Sequence, residues 1–185
     1  MPADDERRLH RAVLHGDELA WRSLYDASFA DLDAYVLWRC GGLRDRADDI
    51  VQETWLIAVR RIGDFDPERG LFLAWLRGIA ANVLRNHFRR RTEQPLVGDD
   101  HPAPGDAELE RREQAEQIAR ALIGLPERYE KVLRAKYLDR LTVEEIAART
   151  DETPKAIESL LSRARAAFRA AYLEHQGPLL HEAEP

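Results

Sequence analysis

The segment that most limits how this chain can fold is 93–106, EQPLVGDDHPAPGD, with three prolines and two glycines in one short run. Proline removes a backbone donor and pushes the residue before it out of the helical region. No apolar repeat of either helical or strand period crosses the segment. Neither one helix nor one sheet can be carried through it, so it reads as a linker, flexible with stiff proline points. The flanks on both sides read as helices. The expected fold is all-α: two small helical domains, 1–92 and 107–175, joined by a flexible acidic linker at 93–106 and followed by a tail at 176–185.

Taken in order, residues 4–15 form a short polar helix stopped at Gly16. Asp17 is placed to cap a second helix running to about Cys40, where Gly41-Gly42 ends it. Leu19, Leu24, Phe29, Leu32 and Val36 are its expected apolar contacts. Asp45 is placed to cap a third helix over 46–62. Its Val51, Trp55, Val59 and Ile62 share one face, while Asp48, Asp49, Gln52 and Glu53 form another. Acids in a first turn also suit the helix dipole, so that face has a plain stabilising reading as well.

The fourth helix is the chemical anomaly. The chain carries a formal net charge of -6, yet Arg69–Thr92 contains no Asp or Glu and six arginines, Arg69, Arg77, Arg85, Arg89, Arg90 and Arg91. Leu71, Trp75, Ile79 and Leu84 or Phe88 give the same stretch an apolar face. A helix docked on one side and cationic on the other suits a polyanion, and nucleic acid is the commonest. In an otherwise acidic chain, that contact must come from local patches.

Beyond the linker, Ile118, Leu122 and Leu125 line one side of a helix near 107–123. Pro126 opens the next helix at a first-turn position. Thr142 and Glu145 have the spacing of a capping box at the start of VEEIAART. Thr153 caps the last helix, and Pro154 takes its first position. Ile157, Leu161, Ala164, Phe168 and Tyr172 form one stripe, opposite Lys155, Glu158, Ser159, Ser162, Arg163 and Arg165. Ile146 and Ala147 are expected to pack beneath Ile157 and Leu161. Two short helices in that relation make a helix-turn-helix, whose second helix points its first residues at a DNA groove. A helical hairpin with no DNA role has the same outline.

A single cysteine, Cys40, excludes an internal disulfide and offers no metal cluster. Six histidines are scattered without ligand spacing. No cofactor, metal site or catalytic residue is expected. The polar opening MPADDERRLH does not read as a signal peptide, and no apolar run nears the roughly 20 residues a membrane span needs. A cytoplasmic location is expected.

Two runs carry a family resemblance. ADDIVQETWLIAVRRIGDFDPERGLFLAWLRGIAANVLRNHFRRR resembles region 2 of bacterial RNA polymerase sigma factors of the extracytoplasmic-function (ECF) type. LPERYEKVLRAKYLDRLTVEEIAARTDETPKAIESLLSRARAAFR is similar to region 4 of the same group. The motifs are D-x-V-Q-E-T-W at 49–55, F-x-x-W-L at 72–76 and I-A-x-N at 79–82, followed by the arginine tail. The resemblance covers nearly the whole chain, with the regions in the family's order.

It implies a sigma factor that binds core polymerase and directs initiation at promoters through their minus-ten and minus-thirty-five elements, with no chemistry of its own. Asp48, Asp49, Gln52 and Glu53 would dock on a basic helix pair of the polymerase's largest subunit. The loop 65–70 would hold an unstacked minus-ten base, with Phe65, Asp66 and Arg69 in contact. Phe65, Phe72 or Trp75 would be the stacking surface, the last two also suiting a core. Asn82, Arg85, Asn86, Arg89 and Arg90 would line the strand's path. Thr153, Lys155, Ala156, Glu158, Ser159, Arg163 and Arg165 would meet the minus-thirty-five duplex. The acidic linker would lie near the active cleft, and an anti-sigma protein is an implied partner. Glu158 and Leu160 stand where relatives often place basic residues. Glu158 can accept from a cytosine amino group or pair with Lys155 or Arg165. Two other classes stay open from the residues: a regulator using only the helix-turn-helix, and a nuclease acting on the bound strand.

Overall fold

The computed structural model describes residues 2–93 and 106–174, which form eight α-helices and one 3-10 turn, with no strand among the described residues. The chain divides into two units, Met1–His101 and Pro102–Pro185. Apart from helix ends at 93 and 106, the expected linker lies outside the described residues, as does the tail at 176–185.

The first unit holds α1 (Ala3–Leu14), α2 (Glu18–Arg39), α3 (Arg44–Arg60), a 3-10 turn (Ile62–Asp64) and α4 (Phe72–Glu93). Local chemistry sets the joints. Gly16 takes φ +84°, where a side chain would be strained, and lets α1 end. Asp17 then caps α2, its Oδ1 accepting from the backbone N of Leu19 at 2.9 Å and of Ala20 at 3.1 Å. After α2, Gly41 and Gly42 both have positive φ, and Gly42 N donates back to the Leu37 carbonyl at 3.0 Å.

Helices α2, α3 and α4 pack on one another around Leu24, Leu32, Val36, Ile50, Phe72, Leu76 and Leu84, all fully buried. Each of these side chains contributes about 1.5–3 kcal/mol through burial. Several sequence expectations shift here. Helix α3 starts at Arg44, behind Leu43, so Asp45 sits inside the first turn and not at the cap position. Its inward set is Ala47, Ile50, Val51, Thr54 and Ala58, whereas Val59 is exposed. Small Ala47 and Ala58 allow close approach. Thr54 enters the core because its hydroxyl donates to the Ile50 carbonyl at 2.7 Å. Counting only large apolar residues therefore rotated the predicted face. For the same reason Leu19 and Phe29 are exposed on α2, and Leu71 is exposed just ahead of α4. Cys40 is fully buried, and burial pushes its thiol up to about 12, leaving it a packing residue.

The second unit holds α5 (Asp106–Gly124), α6 (Glu127–Tyr137), α7 (Val143–Thr150) and α8 (Pro154–Glu174), with α8 packed against the other three. Pro126 stands one residue ahead of α6. The capping box forms: Thr142 Oγ1 accepts from Glu145 N at 3.2 Å, and Thr142 N donates to Glu145 Oε2 at 2.7 Å. The turn into α8 is made by Asp151 in the left-handed region, φ +54°. Thr153 Oγ1 then accepts from Ala156 N at 3.2 Å, and Pro154 is the first helical residue. Ile146 and Ala147 are buried with Ile157, Leu161 and Ala164. Leu160, which stands where relatives often place a basic residue and was left out of the apolar stripe, is 4% exposed and belongs to this core. Among the described residues no helix is long and apolar enough to cross a membrane.

Candidate polymerase and nucleic-acid interfaces

On α3, Asp48, Asp49, Gln52 and Glu53 are all exposed and fall within about 140° of arc at 100° per residue. They are not equivalent. Arg44 Nη2 meets Asp48 Oδ1 at 2.8 Å and also bonds Asp33 of α2, and these two carboxylates, Asp33 first, raise the Arg44 pKa. Asp48 is thus partly neutralised. Among the described residues no ion pair engages Asp49 or Glu53, whose charge stays available to a basic partner.

Between the 3-10 turn and α4 the chain folds around an open cavity of about 290 Å³. Asp64, Phe65, Asp66, Arg69, Gly70 and Leu71 line it from the run ahead of α4, and Ala74 and Trp75 from the first turn of α4. Asp66 Oδ1 accepts from Glu68 N at 3.0 Å, a local turn that sets the loop's crown. Phe65 is only 4% exposed. Its ring meets His10 edge-on at 5.1 Å, Phe72 at 5.4 Å and Trp75 at 5.5 Å between centroids. It is therefore a wall of the cavity rooted in the core, and it does not present a free face as the sequence reading had it. Phe72 is fully buried, while Trp75 is part-exposed and is the aromatic surface that opens into the space. Asp66 and Arg69 are exposed at its rim.

Helix α4 continues from this cavity. Asn82, Arg85, Asn86, Arg89 and Arg90 are exposed and again share about 140° of arc. Leu76, Ile79, Ala80, Val83, Leu84 and Phe88 fill the opposite side. Arg85 donates to Asn82 Oδ1, which ties two of the five together. One arginine of the cationic run leaves the set. Arg77 is part-buried with its guanidinium 5.5 Å from the Tyr35 ring centroid. The side chain of Arg91 lies outside the described residues.

Thr153, capping α8, and Lys155, Glu158, Ser159 and Arg163 on it are exposed, and Ala156 is half-buried. Arg165 is exposed but held, its Nε donating to the Tyr137 hydroxyl at 2.8 Å with the guanidinium over that ring. Among the described residues Glu158 pairs with neither Lys155 nor Arg165. Tyr137, on α6, was missed by the sequence reading. Only its own exposed aromatic character hinted at a role, since its link to Arg165 spans 28 positions.

Two stretches match family models, Sigma-70 region 2 over residues 25–94 and Sigma-70 region 4 over 115–168. The ECF RNA polymerase sigma factor SigF of Caulobacter vibrioides is 32% identical over 173 residues, covering 87% of this chain and 92% of SigF. This chain belongs to the ECF sigma factors of RNA polymerase. The ECF factor BldN of Streptomyces coelicolor is 31% identical over 157 residues, 80% of this chain but 59% of BldN, so the chain spans little more than half of that relative. The solved structure of CnrH in complex with the cytosolic domain of CnrY has a TM-score of 0.51 at 26% identity, covering 93% of this chain and 99% of that one. CnrH of Cupriavidus metallidurans is also similar in sequence, 31% over 184 residues.

The chain is thus a promoter-specific initiation factor, with one unit carrying each sigma region. The region 2 match sets aside a regulator built on the helix-turn-helix alone. Sigma factors are not enzymes, and among the described residues no group of three or more His, Cys, Asp and Glu could hold a metal ion. Helix α1 precedes both matched stretches, and nothing in the sequence reading gave it more than a polar surface.

Proposed function

We propose that this sigma factor divides initiation among the surfaces described above. Asp49 and Glu53, with Gln52 and the partly neutralised Asp48, dock on a basic surface of core polymerase. The cavity at 64–75 takes one unstacked base of the minus-ten element, stacking it on Trp75 and offering Asp66 and Arg69 as hydrogen-bonding groups. Asn82, Arg85, Asn86, Arg89 and Arg90 carry the separated strand away. A single strand needs a stacking surface, edge contacts and phosphate neutralisation, and this unit offers all three in series along one path. That continuity, an open aromatic cavity leading onto a cationic helix face, is the observation that carries the reading.

In the second unit, Thr153, Lys155, Glu158, Ser159 and Arg163 meet the minus-thirty-five duplex at the start of α8, and Ala156 leaves room for close approach. Arg165 acts together with Tyr137 as one planar unit directed at phosphate. The chain performs no catalysis, uses no cofactor and works in the cytoplasm. By analogy with CnrH, solved with a cytosolic protein domain, an anti-sigma partner covers some of these surfaces until induction.

Run-off transcription tests the whole assignment. Core polymerase alone should give no defined start on a promoter library, and core plus this chain should give starts that share minus-ten and minus-thirty-five sequences. Core binding without any sequence-dependent start would sink the cavity and α8 assignments together.

A further inference from the structure

Helix α4 begins without a cap of its own. The residues before Phe72 are Gly70 and Leu71, neither with a capping side chain, and the first turn of α4 holds no acid. The missing acceptor comes from α1. Glu6 Oε2 accepts from Phe72 N at 2.9 Å across 66 positions, and Glu6 is itself only 7% exposed. A carboxylate there satisfies an orphan amide and faces the positive end of the helix dipole. One turn further along α1, His10 Nε2 lies 3.2 Å from the Ile62 carbonyl, and its ring meets Phe65 edge-on. Between them Arg7 Nη1 reaches Glu68 Oε1 at 3.4 Å.

Three neighbouring side chains of α1 therefore hold the segment 62–72 at its entry, its crown and its exit. Neither Glu6 nor His10 lines the cavity. Without them, the segment keeps the Phe65 ring packed on Phe72 and Trp75, the Arg61–Asp64 ion pair, the Asp66 turn and a few short-range backbone bonds. Reading a base edge by hydrogen bonds requires donors and acceptors held within about 0.5 Å of the productive geometry. The ring contacts root the loop at Phe65, and the exit at Phe72 N and the crown at Glu68 are tied to the rest of the fold by the α1 side chains. A solely stabilising α1 would lower melting temperature and affect every promoter alike, whereas a positioning α1 changes selectivity at one place.

We infer that α1 is a positioning element for the base-binding cavity, with Glu6 and His10 setting which base is accepted at one minus-ten position without touching DNA. This rests on the reading that the cavity takes a minus-ten base.

The test uses holoenzyme reconstituted with Glu6→Ala, Glu6→Gln, Arg69→Ala or Trp75→Ala, transcribing promoters in which each minus-ten and minus-thirty-five base is varied singly. Glu6→Ala should reduce discrimination at one minus-ten position by about fivefold, the factor a single hydrogen bond is worth. Preferences at minus-thirty-five and affinity for core should be unchanged. Glu6→Gln keeps an acceptor oxygen and should restore the discrimination. Equal loss on every promoter, or no change in discrimination at any base, would overturn the positioning role. The loop variants separate the two ideas. If Arg69→Ala and Trp75→Ala leave every minus-ten preference intact, the base-cavity reading is wrong. If they alter a preference that Glu6→Ala does not, only the role of α1 fails. Should Glu6→Ala melt below the assay temperature, His10→Ala carries the same test from the loop's other end, with the same expected and refuting results.

Discussion

Arg85, Arg89 and Arg90 share the outward face of α4 with no acid anywhere on that helix from Phe72 to Thr92. If each meets a phosphate of the separated strand, each releases counterions on binding. For single strands the slope of log affinity against log salt changes by about 0.7 per phosphate contact. Replacing all three with Ala should therefore flatten the slope by about 2, and between 50 and 200 mM salt the penalty in affinity should shrink about twentyfold relative to the parent. The assay is fluorescence anisotropy of reconstituted holoenzyme on a pre-melted promoter fragment lacking the minus-thirty-five duplex, so that α8 does not contribute. Arg77 supplies the internal control. It has the same chemistry on the same helix, but its guanidinium is spent on the Tyr35 ring. Arg77→Met should leave the slope alone and lower stability by about 0.5–2 kcal/mol, the range of a part-buried cation–π contact. A triple variant with lowered affinity but an unchanged slope would refute the phosphate assignment, because the arginines would then act through contacts that release no ions.

Charge reversal on α3 should separate docking from folding. Asp49→Lys with Glu53→Lys removes two exposed acids that no ion pair engages among the described residues, so melting should change little while affinity for core polymerase falls at least about tenfold. Unchanged core affinity would undo that docking surface. The capping box at α7 gives a stability prediction with a pH signature. Thr142→Ala should cost about 1 kcal/mol, readable as a lower denaturation midpoint. Backbone hydrogen bonding from Thr142 lowers the Glu145 pKa below its usual value. Its stabilisation is therefore present above the unfolded-state pKa, near 4.5, and is lost as pH falls through the lower folded value. The cost of Glu145→Gln should accordingly shrink in acid, and a cost that stayed constant down to pH 2 would contradict it.

What the sequence made legible is what depends on neighbours along the chain. Asp17, Thr142 and Thr153 cap helices because each donor they serve lies two or three residues ahead, and Gly16, Gly41 and Gly42 end helices through their own backbone freedom. The outward face of α4 was readable because its acid-free run spans one continuous helix. Faces were less reliable where small or polar residues entered the core. Ala47, Thr54 and Ala58 won the inner face of α3 over Val59 because close helix approach favours small side chains over large ones. Leu160 joins the inner stripe because a helix packed against three others needs a wider apolar face than one neighbour would require.

The cavity was legible in outline and not in mechanism, and distance along the chain explains why. Its lining comes from 64–75, a local run in which Asp66 and the glycine at 70 already signal a turn. What holds that run in shape comes from Glu6, Arg7 and His10, more than 50 positions away. No periodicity couples the two stretches, and a buried Glu in a polar amphipathic helix looks like any solvated one until its partner is seen. Yet a hint existed in the form of a deficit: α4 starts at GLF with no residue able to cap it. A helix end that is buried and uncapped locally must find its acceptor elsewhere in the fold. The same deficit, read forward, says where to look for distant control of a loop. For this chain it connects the least distinctive helix to the most specific contact proposed with promoter DNA.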